Sequence, residues 1–382
     1  MRTSVSRKKS FRIATAATSA LVGVLAACGS PGTGSTAAGG TSNSPAAQGP
    51  AVTSLAPGHK FTLDQISQAK YHPEWSQYTF TIADNGNEGV EALSRITDVF
   101  KDAPYQVKFA HFTFGPPLIQ ALVTGAADIG DVGDVPPITG AAKTLGFKIV
   151  GVYEPADPNI PQEDVIVPKD STLKTAADLK GKTIAVPQGS SAHGLTLLTL
   201  KNAGLTPDDV QLDFLDPAPG AAAFNSGKVD AWAIWEPQIT LAEKNGARVL
   251  VPGLPPNDQV TNYFVASDKA LGDPARKTAL TDVFYRIALE YQYATTHTDD
   301  YAKALSQESG IPLADEESVA KETGRTILPI RDSDTKAEQG LADAFLQAKQ
   351  IDKKVDLSAI TEQLLPAGFD SRNLDTSGFP KT

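Results

Sequence analysis

The sequence predicts an α/β protein of two lobes, each a mostly parallel sheet with flanking helices. Three observations carry this. From Tyr78 to Tyr153 short β-branched or aromatic runs alternate with segments of helical apolar spacing. A second alternation starts at Asp164 and runs to Val251. About 325 residues remain after the N-terminal segments, which is long for one core and suits two.

In order, Tyr78 to Ile82 reads as a strand, Asp84-Asn85-Gly86-Asn87 as a turn and Gly89 to Phe100 as a helix with apolar Val90, Leu93, Ile96, Val99 and Phe100. Gln106 to Phe112 is a strand, and Phe114-Gly115-Pro116-Pro117 opens a helix with prolines where the first turn tolerates them. A short strand at Ala127 to Gly130, a helix entry at Gly133-Asp134-Val135-Pro136-Pro137 and a strand from Phe147 to Tyr153 complete the first alternation. The second comprises strands at 164–167, 183–186, 210–215, 229–234 and 248–251, with helices starting near Thr175, Ala192, Ala218 and Pro237. Asn262 to Ala266 reads as a strand returning to the first lobe, and from Asp273 onward the chain reads as predominantly helical. The expected organisation is a leader over 1–27, a tether over 28–57, a discontinuous first lobe over 58–160 and 264–382, and a second lobe over 161–263.

The N-terminus speaks to compartment. Arg2, Arg7, Lys8, Lys9 and Arg12 precede an apolar and small-residue run from Ile13 to Ala27, about 15 residues against the ~20 of a membrane span. It ends in Leu25-Ala26-Ala27-Cys28, which resembles a bacterial lipobox and makes Cys28 the expected lipidation site. Cys28 is the only cysteine, so no internal disulfide is possible. Gly29 to about Pro57 is rich in Gly, Ser, Thr, Ala and Pro without a charged residue, the composition of a flexible tether reaching ~30 Å. The expected location is the extracytoplasmic face of the cell membrane, through the lipid alone. Without the five basic residues of the leader, 29 Lys and Arg face 44 Asp and Glu, a net charge of −15. Such a surface argues against nucleic acid and against broad contact with anionic membrane.

The chemistry-bearing stretch is Gly189-Ser190-Ser191-Ala192-His193, directly after the apolar strand Thr183 to Val186 and Pro187. A helix opening on a glycine–serine turn presents free N–H groups and a partial positive charge, which suits a small anion. His193 falls in the first turn, as a ligand-side group or a packed histidine. Asp134 reads as a cleft contact or an N-cap. Trp232 and Trp235 are three apart at a strand end, and Trp235, next to the helix entry, is the expected cleft wall. Glu236 is placed to meet a cationic group or to bridge the lobes. Enzyme chemistry finds no candidates. There is no Gly-x-Ser-x-Gly elbow, the histidines at 59, 72, 111, 193 and 297 lack His-x-x-x-His spacing, and no cysteine pair exists. Neither a cofactor nor a metal is expected. A structural or adhesive lipoprotein is the third class.

Asp178 to Val186 followed by Gly189 to His193 resembles the start of the second lobe in substrate-binding proteins of aliphatic-sulfonate, taurine and nitrate ABC importers. Gly115-Pro116-Pro117 through Pro136-Pro137 is similar to their first-lobe signature, and Lys228 to Pro237 to the sulfonate-type second-lobe signature. The resemblance implies a type II periplasmic-binding-protein-like fold. It also implies a monomeric binder delivering a small anionic solute to a permease with a cytoplasmic ATPase. It implies a site at Asn85, Gly86, Asn87, Gly115, Asp134, Val135, Gly189, Ser190, Ser191, His193, Trp235 and Glu236. An aliphatic sulfonate is the expected solute, with taurine, nitrate or bicarbonate, and a thiamine-pyrimidine or riboflavin-like heterocycle as alternatives. Desulfinating enzymes share the fold but use a cysteine nucleophile, and here the single cysteine is committed to the lipid.

Overall fold

A computed structural model describes residues 55–56, 58–85 and 89–379. The leader, Cys28, most of the tether, Gly86 and Asn87 lie outside the described residues. No helix among the described residues is long and apolar enough to cross a membrane.

The first lobe begins with a one-turn helix α1 (Leu63–Ile66), then β1 (Thr79–Asn85), α2 (Val90–Thr97), β2 (Gln106–Phe112), α3 (Gly115–Thr124), β3 (Ile129–Val132), α4 (Val135–Lys143) and β4 (Phe147–Pro155). The chain then builds β5 (Glu163–Val167), β6 (Thr183–Val186), α5 (Ser191–Asn202), β7 (Gln211–Phe214), α6 (Pro217–Asn225), β8 (Ala231–Trp235), α7 (Gln238–Lys244) and β9 (Arg248–Pro252). It returns through β10 (Asn262–Ser267), α8 (Asp268–Leu271), α9 (Pro274–Thr296), α10 (Thr298–Ser309), α11 (Leu313–Glu322), β11 (Arg325–Leu328) and α12 (Asp332–Gln347). The first sheet runs β11-β4-β10-β3-β1-β2 and the second β7-β6-β8-β5-β9. The chain thus leaves the first sheet between Pro155 and Glu163 and rejoins it between Pro252 and Asn262.

The sheets are mixed, which corrects the expectation of mostly parallel ones. β1 pairs parallel with β2 and β3, and β6 with β7 and β8. The strands next to the crossings run the other way. β10 is antiparallel to β3 and β4, and β5 is antiparallel to β8 and β9. A strand that enters a sheet from the neighbouring lobe has no crossover helix to reverse its direction, so it arrives antiparallel. Two further readings are revised. Asp84 and Asn85 extend β1 instead of forming a turn. Arg325 to Leu328 is a strand on the edge of β4, inside the stretch read as helical.

Both faces of each sheet are covered. In β10, Phe264 and Ala266 pack with α9 through Phe284 and Ile287, whereas Tyr263 and Val265 face the side where Leu118, Ile138 and Phe345 pack. That alternation is the two-residue repeat of a strand buried on both sides. The long α9 is fixed at its start by Asp273, whose Oδ1 accepts from Arg276 N at 2.7 Å. In its middle the buried Arg286–Asp282 pair stands at 2.8 Å. The second lobe repeats the two-faced arrangement around Val165, Ile184 and Leu195 on one side, and Ile166, Phe224 and Trp232 on the other.

The return crossing passes tightly over β5. A Cβ at Gly253 would stand 2.0 Å from the Glu163 carbonyl oxygen, a backbone atom that cannot rotate away. Gly253→Ala is therefore expected to destabilise the fold by about 1–3 kcal/mol, the usual cost of overpacking. Urea unfolding of variant and parent checks it, and an unchanged midpoint would show the crossing to be loose.

Candidate functional site

Between the lobes lies a cavity of about 80 Å³. At ~10–15 Å³ per water-sized group it takes on the order of five to eight such groups, the scale of a small polyatomic ion with a short tail. Strand and helix ends of both lobes line it. Asn85, Gly115, Gly133 and Arg325 come from the first lobe, Ser190, Ser191, Trp235 and Glu236 from the second, and Asp258 and Asn262 from the return crossing. Of the expected residues, the structure brings together Asn85, Gly115, Ser190, Ser191, Trp235 and Glu236 on this cavity.

The lobes are in contact above it, which requires missing side chains. A Cβ on Gly133 would fall 2.6 Å from Ser191 Cβ, and one on Gly194 would fall 2.7 Å from Val135 Cγ2. Gly189 adopts φ +76°, a left-handed turn that swings the chain from β6 into α5. The N–H groups of Ser191 and Ala192 then begin α5 at the cavity side, with the partial positive end of a three-turn helix behind them. The two serines differ. Ser190 Oγ donates to the Pro187 carbonyl at 2.7 Å and is spent within the turn. Ser191, which lines the cavity, hydrogen-bonds through its hydroxyl to the Glu163 carboxyl.

Four expected residues lie elsewhere. Val135 is wholly buried in the first-lobe core. Asp134 occupies the N-cap position of α4 without a side-chain cap bond, and it is buried behind the cavity. Burial, then the charge of Asp258, raises its carboxyl well above the usual range. Gly189 and His193 line a separate cavity of about 350 Å³ on the far side of the lobe contact. The His193 ring stands between Phe214 of the second lobe and Phe345 of α12, its Nδ1 accepting from Gly189 N at 3.3 Å. Burial pulls its pKa down to about 4, so it joins the lobes as a neutral ring. Trp232 is 1% exposed and belongs to the second-lobe core.

The sequence reading missed the charges. Arg325 is the one Lys or Arg among the described residues lining the cavity, and it is held by Asp131 at 2.6 Å and over the rings of Tyr153 and Tyr291. Its only signal was an arginine in a short β-branched run. Against it stand Glu163, Glu236, Asp258 and Glu316, all lining the cavity. Burial drives each of these carboxyls upward. Glu236 reaches about 8, with Glu322 adding to the effect, and Glu163 rises well above its ordinary value through burial and the neighbouring Asp258. A protonated carboxyl does not repel an anion and donates a hydrogen bond to it.

Residues 101–283 match the NMT1/THI5-like family. The chain is 34% identical over 254 residues to an aliphatic-sulfonates-binding protein of Escherichia coli K12, covering 66% of this chain and 78% of that one. It is 31% identical to the protein of the same name in Bacillus subtilis 168, covering 69% and 79%. The chain belongs to the aliphatic sulfonate-binding protein family. Among solved structures, the alkanesulfonate-binding protein of Xanthomonas axonopodis pv. citri bound to MOPS superposes with a TM-score of 0.68 at 30% identity, covering 75% of this chain and 98% of that one. The fold is that of the periplasmic binding proteins.

The Glu236 carboxyl gives a pH signature. Its folded pKa of about 8 lies above the unfolded value near 4.5, so the native state holds the extra proton between these limits. The associated stability is fully present below about pH 4.5 and is lost as pH rises through 8. Thermal midpoints are expected to fall from pH 5 to pH 8 in the parent and to fall less in Glu236→Gln. Identical slopes would mean that Glu236 is ionised throughout.

Proposed function

We propose that this protein is the extracytoplasmic solute-binding component of an ABC importer, closing its lobes on a small organosulfonate and handing it to a membrane permease driven by a cytoplasmic ATPase. The observation that carries the reading is the cavity itself, which pairs the start of α5 and the Arg325 guanidinium with an aromatic wall at Trp235. Backbone donors and a cation suit the sulfonate oxygens. The indole suits a carbon tail, for which a bare inorganic ion has no use. The names of the relatives agree with this solute class. Among the described residues the cavity lining holds no cysteine, so the thiolate chemistry of the desulfinating enzymes has no nucleophile there.

A second reading concerns the tail. Glu163, Glu236 and Asp258 outnumber Arg325. They remain protonated and donate to a plain alkanesulfonate, or they ionise and hold an ammonium group on an amino-sulfonate such as taurine. The two differ in pH dependence. Calorimetric titration with ethanesulfonate is expected to show affinity that weakens as pH rises through about 8, as Glu236 loses its proton. Taurine affinity is expected to hold or strengthen over the same interval.

In the same titrations Ser191→Ala is expected to cost about 1.5–3 kcal/mol, the range for a hydrogen bond to a charged group. Ser190→Ala changes affinity little, because its hydroxyl is spent on Pro187. Trp235→Ala is expected to weaken ethanesulfonate far more than nitrate. Equal affinity of Trp235→Ala for every ligand would remove the aromatic wall from the account, and parent protein that binds no sulfonate would remove the proposed function.

We propose further that Cys28 carries a lipid that anchors the protein to the outer face of the cell membrane. Cys28→Ser is expected to release a folded, solute-binding protein from the membrane fraction, since the cysteine lies some fifty residues before β1. A serine variant that still sediments with membranes would overturn the anchor.

A further inference from the structure

We propose that the rim of the first lobe carries a divalent-cation site of the zinc type, formed by Asp84, His111 and Glu308. Asp84 and His111 are opposite residues of the parallel strands β1 and β2, at the ends that face the solute cavity. Glu308 reaches them from the last turn of α10. One ligand atom from each residue lies within 4.8 Å of the other two. The ligands of a tetrahedral zinc ion, at 2.0–2.2 Å from the metal, stand about 3.3 Å apart, so contraction by up to about 1.5 Å completes the set. His111 and Glu308 have the freedom for it, with side chains 54% and 20% exposed.

Two observations separate this arrangement from an ordinary surface ion-pair network. The Asp84 side chain is wholly buried and its Oδ1 has no hydrogen-bond partner among the described residues. Its Oδ2 accepts from Glu91 N at 3.2 Å and stands 3.7 Å from His111 Nδ1. A buried carboxylate oxygen without a donor is costly unless a cation meets it. The second observation is the orientation of the imidazole. Its Nε2 is 2.7 Å from Glu91 Oε2, and Glu91 is itself held by Arg95 at 2.6 Å. The tautomer that donates its Nε2–H to Glu91 presents Nδ1, which faces Asp84, as a ligand atom. A ligating histidine that donates its other N–H to a carboxylate is the usual outer-shell support of a zinc site.

The charge also fits. Asp84, Glu91 and Glu308 carry three negative charges against the single positive charge of Arg95, which also pairs with Glu308 at 3.1 Å. A divalent ion neutralises the remainder. Mixed imidazole and carboxylate donors select a zinc-type ion over magnesium or calcium, which prefer oxygen alone. Three protein ligands leave one position for water. The ion would brace the end of β1, which carries Asn85 into the cavity, against α10, which carries Tyr301 and Leu305 to it.

The test is zinc binding by the intact, tag-free protein with Cys28→Ser as background, so that no thiol competes. After chelator treatment, equilibrium dialysis against zinc chloride is expected to give one bound ion per chain and a rise in thermal midpoint. His111→Ala should lower affinity at least tenfold, and Glu91→Gln by 10–100-fold, the usual loss for an outer-shell partner. His59→Ala, a surface histidine remote in sequence, should leave it unchanged. Because His111 is half exposed, its loss leaves the core intact, and solute titration confirms a folded variant. Absence of saturable zinc binding in the parent, or equal zinc affinity in His111→Ala, overturns the site. Either result leaves the sulfonate reading untouched, since that rests on the cavity and is measured without zinc.

Discussion

The structure depends on how closely α4 and α5 approach across the cavity. Gly133 and Gly194 leave no room for a Cβ at that contact. Their absence of side chains lets the first turn of α5 come within reach of the first lobe, and so brings Ser191 to the cavity that the first lobe also lines. The neutral His193 ring reinforces the approach from behind, edge-on to Phe214 and Phe345. A packed imidazole there adds lobe-to-lobe contact without adding a charge that closure would have to desolvate. The contact between the lobes is thus made by steric fit and apolar packing.

Those polar groups create a problem that burial itself resolves. Four carboxyl side chains and one arginine line the cavity proposed to take an anion. Ionised, they would exclude it. Taking a carboxyl out of water disfavours the charged form, and a second acid nearby disfavours it further. Glu163 and Glu236 combine both effects, whereas their partners Asp258 and Glu322 are raised by burial and lowered by the hydrogen bond from the neighbouring acid. The same walls that shape the cavity therefore turn repulsive groups into donors. Arg325 is held in place by Asp131 and two tyrosine rings.

How much of this was legible in the sequence follows from the range over which each feature is encoded. Periodicity located the parallel strands and the helices between them, since each element reports its own buried face. Strand direction near the crossings was not legible. The residues of β5 and β10 look like any buried strand, and only the route of the chain makes them antiparallel. β11 was missed because four residues amid helical segments carry too little pattern. At the site, the glycine–serine turn and Trp235 were readable as local strand-to-helix entries. Arg325, Glu163 and Asp258 were not, because they meet from three distant parts of the chain and none sits in a motif. His193 was drawn to the ligand by sequence adjacency to Ser191. In a helix, a residue two positions on points to a different face, and that face meets α12.

The division of labour within the cavity also bears on specificity. On the proposed function the start of α5 and Arg325 meet the negative oxygen atoms, and such donors treat sulfonate, sulfate or nitrate much alike. Discrimination must come from what lies beyond the oxyanion. Trp235 offers area to a carbon chain, and the small volume limits its length. The carboxyl groups decide whether that chain ends in a cation. Their protonation is set by burial, and burial is completed only when the lobes meet. A ligand that brings an ammonium restores the charged form of an acid, whereas a plain alkanesulfonate leaves the acids neutral. On the proposed function, solute choice and lobe closure are therefore coupled through the same protons.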